Sequence, residues 1–152
     1  MKAVIQRVTG ASVRVDGEVT GEIGKGFLVL LGVMDGDTEE EMRLLAKKVS
    51  EIRIFTDEND KMNLSLSQVD GEVLVVSQFT LCADLSHGRR PSFTASAPVK
   101  VATELYEGFC RELTSLGVRK VATGIFGADM KVELVNDGPV TIIMNTDEWK
   151  KK

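Results

Sequence analysis

The run FLVLLGV, residues 27–33, constrains this fold more than any other stretch. It is continuously apolar, carries no charge and is too short for an ordinary helix, so it reads as a central strand buried on both faces. A second such run, GEVLVVSQFTL, begins at an Asp70-Gly71 turn. Strands covered on both faces need other elements packed on them, and the chain offers helices at two places. DTEEEMRLLAKKVSEIRIF sets Met42, Leu45, Val49 and Ile52 at spacings of three and four, with Thr38 and Glu41 in capping-box positions. Glu39 and Glu40 suit its positive end and Lys47 and Lys48 its far end. The second helix opens at Pro98, read as a first-turn proline, carries Val101, Leu105, Phe109 and Leu113 as its stripe, and stops at Gly117.

The remaining segments are strand-like. AVIQRV and SVRV alternate with period two, Asp16-Gly17 is a hairpin signal, and KMNLSLSQV alternates Met62, Leu64 and Leu66 against polar neighbours. NDGPVT, residues 136–141, lies between MKVELV and TIIMN, and its turn chemistry predicts a hairpin there. Pro139 is the odd point, because it removes an N–H where a return strand would begin to pair. Strands before, between and after only two helices argue against a regular βαβ alternation. The expected fold is α+β, with a mostly antiparallel sheet curled into a barrel-like core and two helices packed outside it. A chain of 152 residues is expected to form a single domain over 1–152.

Composition narrows the function. With 43% hydrophobic and 28% charged residues the balance is that of an ordinary globular protein. No apolar run approaches the ~20 residues that span a bilayer, and MKAVIQRV lacks the pattern of a signal peptide, so the expectation is a cytoplasmic protein without a membrane partner. The net charge of −4 argues against wholesale nucleic-acid binding and confines any such contact to local groups: Arg89 and Arg90 in HGRRPSF, or the tail WKKK. Cys82 and Cys110 stand in dissimilar contexts and read as two free thiols. One histidine and two scattered cysteines do not make a zinc site, so no metal or cofactor is expected, and His87 reads as a solvated loop residue.

Chemistry has one natural seat. SQFTL, residues 77–81, puts Ser77, Gln78 and Thr80 at the end of a buried strand, opening into the aperiodic segment 82–97. Ser77 or Thr80 is either a nucleophile or a hydroxyl that satisfies strand-end backbone groups, and no activating base lies nearby in sequence. Gln78 cannot ionise but can orient a carbonyl or an amine.

VSQFTL together with NDGPVT resembles the motif pair of the D-aminoacyl-tRNA deacylase family. MKAVIQRV, DKMNLSL, GRRPSF and GIFGADMKVELVNDGPVT extend the likeness over nearly the whole chain. The resemblance implies an ester hydrolase that releases a D-amino acid from the terminal adenosine of tRNA, and glycine mischarged on tRNA-Ala as well. It implies a homodimer whose sites lie at the interface, with a cis Gly138-Pro139 peptide entering the partner's pocket and excluding L-amino acids. Ser77, Gln78, Phe79 and Thr80 are then the catalytic segment, with backbone N–H groups around Phe79 and Thr80 stabilising an oxyanion and the tRNA 2′-hydroxyl assisting. Gly138, Pro139 and Asn136 would bind substrate, and Phe93 would either wall the pocket or anchor its loop. Arg7, Arg89 and Arg90 are the candidates for tRNA phosphates. Two other classes compete: a tRNA-end binding module without turnover, and a serine or threonine esterase acting on small esters.

Overall fold

The computed structural model describes residues 1–150. The elements run β1 (Lys2–Val15), β2 (Glu18–Ile23), β3 (Gly26–Gly32), α1 (Glu39–Glu51), β4 (Phe55–Thr56), β5 (Met62–Leu64), β6 (Glu72–Ser77), α2 (Val99–Ser115), β7 (Val121–Thr123) and β8 (Lys131–Asn145). The main sheet has the order β2-β1-β3-β6-β7, with β8 on β1. The three partners of β1 are antiparallel to it, whereas β3–β6 and β6–β7 are parallel. The parallel pairs follow from the helices: α1 lies in the connection from β3 to β6 and α2 in that from β6 to β7, and parallel neighbours need such a crossover. The sheet is mixed and nearly closes. At the seam, a Cβ on Gly21 of β2 would lie 2.2 Å from the carbonyl oxygen of Thr123 in β7, so only glycine lets the two ends of the row approach.

Two apolar clusters result. Leu28, Leu74, Val76, Val8 and Val13 fill the space enclosed by the curled sheet. Phe27, Val29, Leu31, Val73 and Val75 face the other way, against Leu45 and Val49 of α1 and Leu105, Phe109 and Leu113 of α2. The apolar runs therefore belong to strands buried on both faces, as expected. Helix α1 starts at Thr38 with a complete capping box: the hydroxyl accepts from Glu40 N at 3.3 Å, and Glu41 accepts from Thr38 N at 2.7 Å. Pro98 is the N-cap of α2, one position before the helix. Gly117, at φ +95, follows its C-cap. Cys82 and Cys110 are free. Among the described residues, no helix is long and apolar enough to cross a membrane.

One expectation is overturned. Asp16 and Gly17, at φ 50 and 82, do form the hairpin between β1 and β2. The NDGPVT segment does not form a second one. β8 is a single strand that pairs with β1 from Lys131 to Asn145, and the segment bulges out of it: Val8 partners Asn136 while Gln6 partners Thr141. One β1 residue thus spans what four residues of β8 occupy. The turn residues re-aim a strand instead of reversing it.

Candidate active site

Ser77 ends β6, with Leu31 of β3 as its parallel partner. The chain then folds into a 3₁₀ turn, Phe79–Cys82, laid over the end of β3. Gln78 N donates to Leu31 O at 2.8 Å, Leu81 N to Gln78 O at 3.2 Å, and Ala83 N to Thr80 O at 3.2 Å. The N–H groups of Phe79 and Thr80 open this turn, where helical geometry leaves donors without internal acceptors. Thr80 Oγ1 accepts from Gln78 Nε2 at 2.5 Å. Among the described residues neither the Ser77 nor the Thr80 hydroxyl bonds to a backbone group, and no carboxylate or imidazole is bonded to either. His87 is exposed in its loop. A hydroxyl without a base is a weak nucleophile, whereas two free backbone donors beside a cleft can stabilise an oxyanion.

The cleft has a volume of about 250 Å³ and is lined by Ser77, Gln78 and Phe79 on one side and by Phe126, Asp129 and Met130 on the other. That second wall comes from GIFGADM, which sequence reasoning used only as a family likeness; its ring and thioether carry no polar signal. Phe93 does not line the cleft. Its ring meets Phe79 edge-on, 5.0 Å between centroids and 67° between planes, so it anchors the loop to the turn. The same loop is pinched by paired backbone bonds between Asp84 and Ser92, at 2.7 and 2.9 Å. Arg89 and Arg90 lie beyond the pinch, exposed and without an ion pair among the described residues. Of the WKKK tail, Lys151 and Lys152 lie outside the described residues. A larger cleft, about 350 Å³, opens between the C-terminal ends of α1 and α2. Its arginines are already engaged, Arg53 with Asn63 and Arg119 with Asp70 and Glu72.

No hydrogen bond joins residues 77–80 to residues 136–141 among the described residues. Gly138 and Pro139 are exposed and joined by a cis peptide bond. Asn136 braces them from within: its Oδ1 accepts from Val140 N at 2.8 Å and its Nδ2 donates to Thr141 Oγ1 at 3.1 Å. These two bonds hold the amide in place inside the bulge and leave one N–H and one lone pair of it unused. Arg7 is a clearer correction. It is 8% exposed, and its guanidinium donates to Asp137 O at 2.9 Å, Ile54 O at 2.7 Å and Thr56 Oγ1 at 3.3 Å. A buried cation with three acceptors cannot also form a solvent-facing phosphate rim, so Arg7 is a clamp on the bulge.

The family described as D-Tyr-tRNA(Tyr) deacylase matches residues 4–145. A D-aminoacyl-tRNA deacylase of Roseiflexus castenholzii is 57% identical over 146 residues, 96% of this chain and 92% of that protein. One from Pelobacter propionicus is 58% identical over 144 residues, 95% of this chain and 99% of that protein. Among solved structures, the c-Myc DNA Unwinding Element Binding Protein aligns with a TM-score of 0.90 at 41% identity, covering 95% of this chain and 98% of that one. A "probable eukaryotic D-amino acid tRNA deacylase" shares the fold, with a TM-score of 0.80 at 19% identity over 94% of this chain and 97% of that one.

Proposed function

The chain belongs to the D-Tyr-tRNA(Tyr) deacylase family, and from that premise we propose that it hydrolyses the ester of D-aminoacyl-tRNA, releasing free D-amino acid and tRNA. The observation that carries the reading is the strand-end turn: two open backbone donors, at Phe79 and Thr80, beside a cleft and with no base at either hydroxyl. An aminoacyl ester is already activated, so water positioned against a stabilised oxyanion suffices, with the 2′-hydroxyl of the terminal adenosine assisting the proton transfer. Thr80, whose oxygen accepts from Gln78, directs its own proton outward as a donor. No cofactor enters this scheme.

Handedness is assigned to the bulge. In a homodimer the Gly138-Pro139 corner of one protomer completes the cleft of the other, its backbone leaving room for a D side chain and clashing with an L one. Glycine, with no side chain, is accepted, so glycyl-tRNA-Ala is a substrate too. Two features support the dimer. The corner is exposed, and among the described residues it makes no hydrogen bond to its own protomer's turn. An apolar row also crosses one face of the sheet, from exposed Ile143 on β8 through half-buried Val4 and Leu30. Ile143 is 77% exposed and has no partner within the chain's core.

Arg89 and Arg90 meet phosphates near the tRNA 3′ end, and the rest of the acidic surface stays clear of the RNA. The reaction belongs in the cytoplasm, where two free thiols are also at home. DNA binding, which the name of one structural relative suggests, is disfavoured by the net charge of −4. The test is incubation of D-Tyr-tRNA with substoichiometric protein. Release of many equivalents of D-tyrosine per protein is expected; tight binding without release would leave only the binding module. Cleavage of simple esters without RNA, abolished by loss of one hydroxyl, would instead favour the esterase.

A further inference from the structure

Gly32, the last residue of β3, lies directly beneath the turn that carries the open donors. A Cβ built on it would stand 3.0 Å from Leu81 Cβ, 3.2 Å from Gln78 O and 3.4 Å from Cys82 Sγ. The turn is tied to β3 on both sides of this position, through Gln78 N to Leu31 O at 2.8 Å and through Cys82 Sγ to Val33 O at 3.5 Å. Gly32 is not among the residues with positive φ, so its backbone does not require glycine. The space does.

We infer that Gly32 is a positioning residue for the deacylation: its missing side chain lets the 78–82 turn seat on the end of β3 and fixes where the Phe79 and Thr80 N–H groups stand. This rests on the reading of those groups as oxyanion donors. The two nearest contacts are a backbone oxygen and a Cβ, and neither can rotate away from an added methyl. The turn itself must lift by a few tenths of an ångström. Donors act within a narrow window, about 2.7–3.1 Å from the developing charge.

The test compares Gly32→Ala with Gly10→Ala, whose new Cβ would meet only Ile23 O at an ordinary 3.5 Å. Steady-state kinetics on D-Tyr-tRNA and Gly-tRNA are read beside the ¹H–¹⁵N shifts of Phe79 and Thr80. Since a misplacement of 1 Å costs about 10²-fold, Gly32→Ala should lower kcat about tenfold, equally for both substrates, with KM within about twofold. Both amides should shift, and Gly10→Ala should leave rate and shifts alone. Shifted amides with an unchanged kcat would overturn the inference through its premise, the donor role of those amides. Unmoved amides would overturn it at Gly32 itself. Should Gly32→Ala fail to fold, Cys82→Ala loosens the far anchor without adding bulk; a lower kcat with the same amides shifted is expected, and no change in either sinks the idea.

Discussion

Arg7 Nε donates to the carbonyl oxygen of Asp137 at 2.9 Å, joining a buried cation on β1 to the exposed bulge of β8. The same guanidinium holds Ile54 O, so the strand, the bulge and the segment after α1 meet at one side chain. Arg7→Met keeps the length and strands both carbonyls. Asp137 O, on the exposed bulge, can turn to water, whereas leaving the buried Ile54 acceptor unpaired costs about 1–3 kcal/mol, so the denaturation midpoint should fall by an amount equivalent to about 1–3 kcal/mol. The salt dependence of tRNA binding should not change. A shallower salt slope with unaltered stability would return Arg7 to the phosphate rim.

Gly138 sits at φ +139, and a Cβ on it would meet Val140 Cγ2 at 2.8 Å, Val140 N at 3.0 Å and Arg7 Nη2 at 3.2 Å. The Val140 N–H is the group that Asn136 holds. Gly138→Ala should therefore displace the bulge, at about 1–3 kcal/mol of local strain, and erode discrimination between D-Tyr-tRNA and L-Tyr-tRNA. Paired deacylation assays read the ratio. An unchanged ratio would separate the bulge from handedness.

Thr80→Ala should retain hydrolysis within about tenfold of the native rate, since the substitution keeps the backbone N–H that is the proposed oxyanion donor. Intact-mass spectrometry under turnover should find no acylated protein. Complete loss of turnover with folding and tRNA binding preserved would make Thr80 the nucleophile.

The hydrogen bond from Thr38 pulls the Glu41 carboxyl down to about 2 from its ordinary 4.5. A depressed acid contributes stability that is fully present above 4.5 and is lost as pH falls through about 2. Melting temperature should therefore drop across that window in the native protein. Glu41→Gln should be less stable at neutral pH and should lack this part of the drop. Parallel melting curves for the two proteins would contradict the assignment.

What was legible in the sequence was local. FLVLLGV declared a two-sided strand by lacking any polar phase, the Thr38–Glu41 pair declared a helix start, and Asp16-Gly17 a hairpin. The continuity of β8 was hidden because NDGPVT carries strong turn chemistry, and only β1 alongside it shows that the strand resumes in line. Arg7 was misread as a surface group although it keeps phase with Ala3 and Ile5, both fully buried. The alternation had the information, and charge outweighed it. Phe126 and Met130 were silent because apolar side chains on a cleft wall look like core until the opposite wall is in place.

The pairing of β1 with β8 also sets a clock. The strand made early has its full-length partner made late, with most of the chain between them. At ribosomal speeds of about 5–20 residues per second, that edge of β1 stays open for roughly ten seconds. An open, alternating edge fourteen residues long is a template for stray pairing with other nascent chains. Crowded polysomes, more than heat or acid, are then where this protein is most exposed to failure. Arrested nascent chains lacking β8 should be cut readily by protease, and native-like resistance in such chains would contradict this view.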